Sequence, residues 1–263
     1  MRPGLFLRLH ASDAPLRVTS IAAPLTIYVD ESGKPDYRIP GPGDRPKAYV
    51  VCAVSIHAAD EAHLLAALPR DGVGSLLKHS QIKDDSAICA FLDRLFRSRA
   101  EIGAIQIDPG STQSIHAATA NTDMVNERRR MVGHREVKPP TLTYTLLAAR
   151  AIPLALYQAM LRTGSRPRFF DVFMDRANLA KEHEDQFRRM LQETMLAHEM
   201  TLGQLDWKTE QDCPMLVVPD IVGGALHRRG VGHLTEPGRM LLRAERQGRI
   251  MVSDGWRLND PLG

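Results

Sequence analysis

The sequence predicts an α/β fold, in which one sheet is flanked by helices. Short β-branched and apolar runs alternate along the chain with segments whose apolar residues recur at helical spacing, which is typical of layered α/β proteins. Of the 263 residues, 43% are hydrophobic and 25% are charged. This is the composition of an ordinary globular chain that is long enough to bury one sizeable core.

The first predicted elements are two strands and a helix. LTIYV (25–29) has strand composition and precedes a loop rich in Gly and Pro over 32–46, and AYVVCAVSI (48–56) is a second extended run. The following stretch DSAICAFLDRLF has apolar residues at i, i+3, i+4, i+7 and i+8, the spacing of one helix face. These residues are Ile88, Phe91, Leu92, Leu95 and Phe96.

The second half of the chain continues this alternation. EIGAIQID (101–108) and RFFDVFMD (168–175) read as strands, and the segment 141–162 between them is helical by composition, with Pro153 expected to kink or divide it. Asn178 is a suitable N-cap for a further helix. The residues expected on the buried side of that helix are Phe187, Met190 and Leu191.

The predicted domain organisation is a tail over 1–23, one domain over 24–230 and a basic extension over 231–263. The net charge is only +3, but basic residues crowd the segments 128–138 and 227–249. These segments permit a polyanionic partner, and nucleic acid is the partner that we expect. Its binding would then weaken steeply as salt rises.

Several classes of protein are disfavoured. The three cysteines share no CxxC spacing, so neither a disulfide framework nor a thiolate zinc site is expected. The apolar patch near the N-terminus is too short for a signal peptide, and no stretch is long enough to span a membrane. We therefore expect a soluble, cytoplasmic protein.

Three of the predicted strands end in an acid: Asp30, Asp108 and Asp175. Ligands of α/β sheets gather beyond the carboxyl ends of the parallel strands, so these acids could converge on one crevice. An Asp at a strand end is also a common turn residue, and any one of the three alone would favour that interpretation. Three together favour a shared site.

A fourth acid lies in VVPDIVGGAL (217–226). Pro219 suits the first turn of a helix, and Asp220 follows it at the positive helix end. Gly223 and Gly224 leave the next turn nearly bare, so that another backbone could approach closely. On local grounds a simple helix start is an equally good interpretation.

DESG (30–33), the Asp-Arg that closes the strand at 175, and PDIVGGAL (219–226) together resemble a bacterial and phage family, the domain of unknown function 3800 family. The likeness covers roughly residues 25–230. It implies a ribonuclease H-like mixed sheet and a divalent-metal-dependent nuclease or phosphodiesterase. The acids that it assigns to the metal site are Asp30, Glu31, Asp175 and Asp220.

Two residues depart from the family pattern. KHSQIK (78–83) has Gln81 where an acid is usual, and Pro219 stands where the family has Ala. A neutral amide is a weaker ligand for a divalent cation than a carboxylate. An alternative is therefore left open: a noncatalytic module that binds nucleic acid or a partner and carries a decayed site.

The chemistry of clustered carboxylates supports a metal. Such groups repel one another unless a cation compensates, and oxygen donors without His or Cys select Mg²⁺ or Mn²⁺. Two such ions, about 3.5–4 Å apart, stabilise the attacking and leaving oxygens of a phosphodiester displacement. Lys83 and Arg176 could hold a phosphate nearby. In the strand, Asp30 shares a face with Tyr28, and Glu31 points oppositely unless the strand bends.

The third ligand remains open between two acids. With the strand order 3-2-1-4-5 of the ribonuclease H-like superfamily, we expect Asp108 on the strand next to that of Asp30. Asp175 would then lie two strands away, roughly 10 Å at the usual strand spacing of about 4.8 Å. Spacing favours Asp108 and the resemblance favours Asp175, which we place narrowly first.

Overall fold

A computed structural model describes residues 25–37, 48–164, 167–175, 181–196 and 199–254 of the chain. The described part contains one six-stranded sheet. Its strands are β1 (Leu25–Gly33), β2 (Tyr49–His57), β3 (Glu101–Ile107), β4 (Phe169–Asp175), β5 (Thr201–Lys208) and β6 (Ile250–Asp254). The four strands predicted from the sequence are confirmed as β1 to β4.

The strand order is β5-β4-β1-β2-β3-β6. β2 is antiparallel to both of its neighbours, β1 and β3, whereas β4 is parallel to β1 and β5 is parallel to β4. The five strands β3-β2-β1-β4-β5 therefore have the order expected for a ribonuclease H-like sheet, and β6 extends it parallel to β3. The predicted α/β, ribonuclease H-like fold is confirmed.

Seven helices accompany the sheet in the described ranges. They are α1 (Ala58–Ala67), α2 (Asp85–Arg97), α3 (Thr112–Met131), α4 (Pro139–Thr163), α5 (Lys181–Leu196), α6 (Val217–Gly230) and α7 (Glu236–Arg246). Short 3-10 turns occur at His79–Gln81 and Pro214–Leu216. None of the helices described has the combination of length and apolar composition that crossing a bilayer requires.

The helices form a layer on each face of the sheet. α4 packs across β1, β2 and β3 on one face, where Val29, Ala151 and Ala155 are buried together. α2, α6 and α7 cover the other face, which buries Tyr28 with Ile88 and other apolar side chains. Successive residues of β1 thus enter different cores, as the pleat of a strand requires.

The structure bears on two details of the predicted helices. α4 runs through Pro153 without division, so of the two outcomes expected there, a kink or a division, the division does not occur. Met190 is 36% exposed and does not lie on the buried side of α5, whereas Phe187 and Leu191 do. The buried face of α5 is formed by residues at i, i+4 spacing, and Met190 lies beside this face. The buried residues are His183, Phe187, Leu191 and Met195. Asn178 lies outside the described residues.

The segment after residue 231, which the charge pattern sets apart as a basic extension, carries α7 and β6. α7 contacts α2 and α6, and β6 pairs with β3 along Ile102 to Gln106. Leu241, Ala244 and Ile250 from this segment are buried in the same core as α2.

Candidate metal centre

The carboxyl ends of β1 and β4 meet at one edge of the sheet. Val29 pairs with Met174, so the next residues, Asp30 and Asp175, are neighbours on adjacent strands. Oxygen atoms of Asp30, Asp175 and Glu210 all lie within 4.8 Å of one another. The expectation that Asp175 lies two strands from Asp30 is wrong, because β4 itself pairs with β1.

Asp108 lies elsewhere along this edge. It follows β3, which is separated from β1 by β2. Asp108 is exposed, and its Oδ1 accepts a hydrogen bond from the Gly110 N–H at 2.9 Å. Its expected place on the neighbouring strand is therefore wrong, and its contacts are those of a turn residue.

The DESG motif lies at the end of β1, where two other segments of the chain pack closely against its last residue, Gly33. Gly33 has a φ of +93°, which favours glycine, and a Cβ there would lie 2.4 Å from the Ala48 carbonyl oxygen. The same Cβ would come within 2.9 Å of the His227 ring on α6. Glycine at this position thus lets α6 and the chain before β2 close over the end of β1.

Asp30 is buried, with 5% of its surface exposed. Its Oδ1 accepts the Glu31 N–H at 2.7 Å, which favours the ionised form. Burial and then the charges of Asp175, Glu31 and Asp220 raise the pKa of Asp30 well above its usual range. The site therefore resists holding all of its carboxylates ionised without a compensating cation.

Glu31 lies on the opposite side of the strand from the Tyr28 core. Burial and, after it, the Glu31 charge raise the pKa of the Tyr49 and Tyr144 hydroxyls. Both tyrosines belong to the core that α4 covers. Burial and the nearby Asp175 raise the pKa of Glu31 to about 7, while Lys78 acts to lower it. Asp175 thus influences both acids of the DESG motif.

Asp220 approaches the centre from the first turn of α6. Burial raises the pKa of Asp220, against the effects of the His79 N–H and Lys78, which lower it. The His79 N–H donates to Asp220 Oδ2 at 2.6 Å. The His79 ring packs against Gly224. The bare turn of α6 is thus approached by the side chain of His79 as well as by its backbone.

Sequence reasoning missed two residues of this centre, Glu210 and Lys78. Glu210 follows β5 in a loop, and its carboxylate forms an ion pair with the Lys78 ammonium. Lys78 begins the 3-10 turn 79–81 as its N-cap. Lys78 begins the segment KHSQIK (78–83), but the comparison with the family pattern draws attention only to Gln81. No periodicity or motif marks Glu210, whose one available signal is an acid just after a strand that adjoins β4.

The other predicted site residues have different surroundings. Lys83 is exposed, and the lysine whose charge acts on Glu31 and Asp220 is Lys78. Arg176 lies outside the described residues. Gln81 is exposed, and its Oε1 accepts the Lys78 N–H at 2.9 Å. Pro219 is buried in the first turn of α6, where backbone N–H groups have no helical partner.

Comparison with protein-family models and with curated proteins finds no match. Among solved structures, the chain is similar to one reported as the PCNA:RNase HII complex from Archaeoglobus fulgidus, at 15% identity and a TM-score of 0.43, covering 90% of this chain and 96% of that one. For ribonuclease H2 from Pyrococcus horikoshii OT3 the identity is 13%, the TM-score 0.42 and the coverage 90% and 83%. For Bst-RNase HIII in complex with Mn²⁺ the identity is 13% and the TM-score 0.43, and the match covers 81% of this chain and 55% of that one.

Proposed function

We propose that this protein is a divalent-metal-dependent nuclease, a hydrolase of phosphodiester bonds that uses Mg²⁺ or Mn²⁺. The observation that carries the proposal is the buried Asp30 carboxylate, whose oxygen lies within 4.8 Å of oxygens from Asp175 and Glu210. Carboxylates at this distance, one of them buried, repel strongly, and a divalent cation is the compensation that oxygen donors select.

The donor set fits such an ion. Asp30, Asp175 and Glu210 would hold it, with Glu31 and Asp220 adding negative charge beside it. When bound, a Mg²⁺ or Mn²⁺ ion stabilises charge on phosphate oxygens and lowers the pKa of a coordinated water. No His or Cys belongs to the acidic group, among the residues that are described, which disfavours zinc.

Among the residues that the structure describes, Lys78 is the cation best placed to hold a substrate phosphate. Its side chain is 49% exposed, and it reaches Glu210 at the rim of the centre. An ammonium in this position can attract a nucleic-acid phosphate and orient it towards the acids. Lys83 and Arg176 remain further proposed phosphate-binding residues.

We also propose membership of the domain of unknown function 3800 family, on the strength of DESG (30–33) and PDIVGGAL (219–226). The two departures from the family pattern are compatible with an active site. Gln81 bonds to the backbone of its own turn, as a Glu could, and Pro219 occupies a helix turn that tolerates proline. This favours the catalytic interpretation over a noncatalytic module with a decayed site.

The proposal is tested by titrating the protein with Mn²⁺ in a calorimeter and by incubating it with end-labelled RNA, DNA and RNA–DNA hybrid. We expect Mn²⁺ binding and metal-dependent cleavage of at least one substrate by the parent protein and by Asp108→Asn, but neither by Asp30→Asn. Cleavage retained by Asp30→Asn would overturn the proposal. Absence of Mn²⁺ binding to the parent would instead support the noncatalytic alternative.

A further inference from the structure

We infer that His79 is a positioning residue that orients the Asp220 carboxylate in the metal centre. The inference rests on the proposed function, since it assigns Asp220 a role in that centre. His79 is neither one of the proposed metal donors nor one of the acids at the strand ends, and the inference concerns its ring.

The His79 ring occupies the space that a side chain at position 224 would need. A Cβ added to Gly224 would lie 2.2 Å from both Cγ and Nδ1 of the ring, closer than real atoms pack. Cγ is the ring atom nearest to the main chain, so the clash could not be relieved by a small movement of the ring tip. His79 is 8% exposed and is therefore enclosed in this position.

His79 also contacts the same helix one turn earlier. Its N–H donates to Asp220 Oδ2 at 2.6 Å, and positions 220 and 224 lie on one face of α6. Both contacts come from His79, so the packing of its ring on Gly224 fixes the position of its backbone N–H relative to Asp220. Loss of this packing should therefore free the Asp220 carboxylate to change its orientation.

The turn that carries His79 is closed independently. Gln81 Oε1 accepts the Lys78 N–H, and the Ile82 N–H donates to the His79 carbonyl oxygen at 3.2 Å. The His79 Nε2 atom is buried and makes no hydrogen bond with any residue in the described ranges. The ring thus acts through packing, and it joins a self-closed turn to the helix that carries Asp220.

The neighbouring glycine provides a matched control. A Cβ at Gly223 would meet the Cβ atoms of Ser32 and Cys52 at 3.5 and 3.6 Å, which is ordinary van der Waals contact. Gly223→Ala and Gly224→Ala change helix propensity equally, so only the contact with His79 separates them. Replacing the ring as well, in His79→Ala/Gly224→Ala, vacates the space into which the new methyl group projects.

The experiment measures Mn²⁺ affinity by calorimetry, with metal-free thermal unfolding to verify folding. We expect His79→Ala and Gly224→Ala each to weaken Mn²⁺ binding by about tenfold, as loss of an outer-shell partner commonly does. Gly223→Ala should bind like the parent. The double variant should bind no more weakly than His79→Ala, and it should fold even if Gly224→Ala alone does not.

The Asp220→Asn background separates this inference from the proposed function. We expect His79→Ala to cause no further loss of Mn²⁺ affinity there, because a positioning residue acts through Asp220. Parental affinity in Asp220→Asn would remove Asp220 from the centre and overturn this inference, while leaving the donor group of Asp30, Asp175 and Glu210 standing. The proposed function itself fails only if Asp30→Asn keeps cleavage or the parent binds no Mn²⁺. If Asp220→Asn weakens binding but His79→Ala does not, only the positioning role fails. It also fails if His79→Ala weakens binding further in that background, or if His79→Ala does not fold.

Discussion

The backbone N–H of His79 donates to the carboxylate of Asp220 at 2.6 Å, although 141 positions separate the two residues. This bond joins the turn 79–81 to the start of α6, and the Lys78–Glu210 ion pair joins the same turn to the loop after β5. The end of β1 supplies Asp30 beneath them. The candidate centre is thus assembled from segments that are distant in sequence.

Asp30→Asn should abolish stabilisation by Mn²⁺, and Asp220→Asn should reduce it strongly, while both leave the metal-free protein at least as stable as the parent. Neutralising one member of a buried acidic group relieves repulsion, and an Asn oxygen can still accept the N–H of Glu31 or His79. The double variant should lose no more than Asp30→Asn alone, because residues that act as a unit are non-additive. Thermal unfolding with and without Mn²⁺ measures both effects.

The prediction would be contradicted if either single variant kept full stabilisation by Mn²⁺. It would also be contradicted if both variants unfolded without metal, since these acids would then be required as turn and helix-start residues.

Local patterns in the sequence predicted the strands that have continuous apolar runs and the helix with a regular apolar face. They did not predict α3, whose buried positions include the small or polar residues Ala117, Ala118, Thr122 and Asn126. Nor did they predict β5, an edge strand interrupted by Gly203 and with several half-exposed residues. Periodicity is weak wherever a segment buries little apolar surface.

The acids Asp30, Asp175 and Asp220 could be proposed from strand ends and a helix start, but their neighbours could not. Which strand pairs with β1 depends on contacts between distant segments, and this is why Asp108 was placed too close. Glu210 lies in a loop without a repeating pattern, and its contact with Lys78 exists only after β5 has joined the sheet.

The stability difference between Glu31→Gln and the parent should grow as pH rises, when metal is absent. The folded-state pKa of Glu31 is raised to about 7 from an ordinary value of 4.5, so the folded parent holds an extra proton between these values. The parent therefore loses stability as pH rises through this window, by about 3 kcal/mol, and the Gln variant does not. Urea unfolding at several pH values between 4 and 8 measures the difference.

Comparison with the variant is necessary because buried histidines act in the opposite direction. Burial lowers the pKa of His79 and of His183 to about 4, which makes stability rise with pH up to the ordinary histidine value. Both proteins share that contribution, so it cancels in the difference. A difference that is constant with pH would show that Glu31 titrates normally.

Glu210→Gln should weaken Mn²⁺ binding by about tenfold or more, since it removes one charged oxygen donor from the group formed with Asp30 and Asp175. Asp212→Asn is the matched control, because Asp212 lies in the same loop and its carboxylate accepts a hydrogen bond from Thr209 at 2.8 Å. Calorimetric titration of both variants measures the effect. Equal losses in the two variants would indicate a disturbed loop and would argue against Glu210 as a ligand.

Nucleic-acid binding should depend on salt less steeply than the basic segments alone imply. Within 128–138 and 227–249, several arginines are engaged by acids or buried. The pairs are Arg130–Glu136, Arg228–Asp85, Arg229–Glu245, Arg239–Glu236 and Arg243–Glu236, and Arg129 is buried. Each phosphate neutralised contributes about 0.9 to the slope of log affinity against log salt for duplex DNA. We expect a slope of only a few units in anisotropy titrations, and a slope near zero would exclude a polyanionic substrate.

Lys78→Met should strengthen Mn²⁺ binding several-fold and yet reduce metal-dependent cleavage by about 100-fold. The first effect follows because Lys78 places a positive charge on Glu210 and close to Asp175 and Asp30, where it opposes a second cation. The second follows from its proposed contact with the substrate phosphate, since removal of one group that stabilises developing charge commonly costs this much. Lys83→Met, which removes an exposed lysine five residues further along the chain, should leave Mn²⁺ affinity unchanged and should reduce cleavage much less than Lys78→Met does. Calorimetry and initial rates at saturating Mn²⁺ measure the two effects separately, and a loss of cleavage in Lys83→Met but not in Lys78→Met would assign the phosphate contact to Lys83.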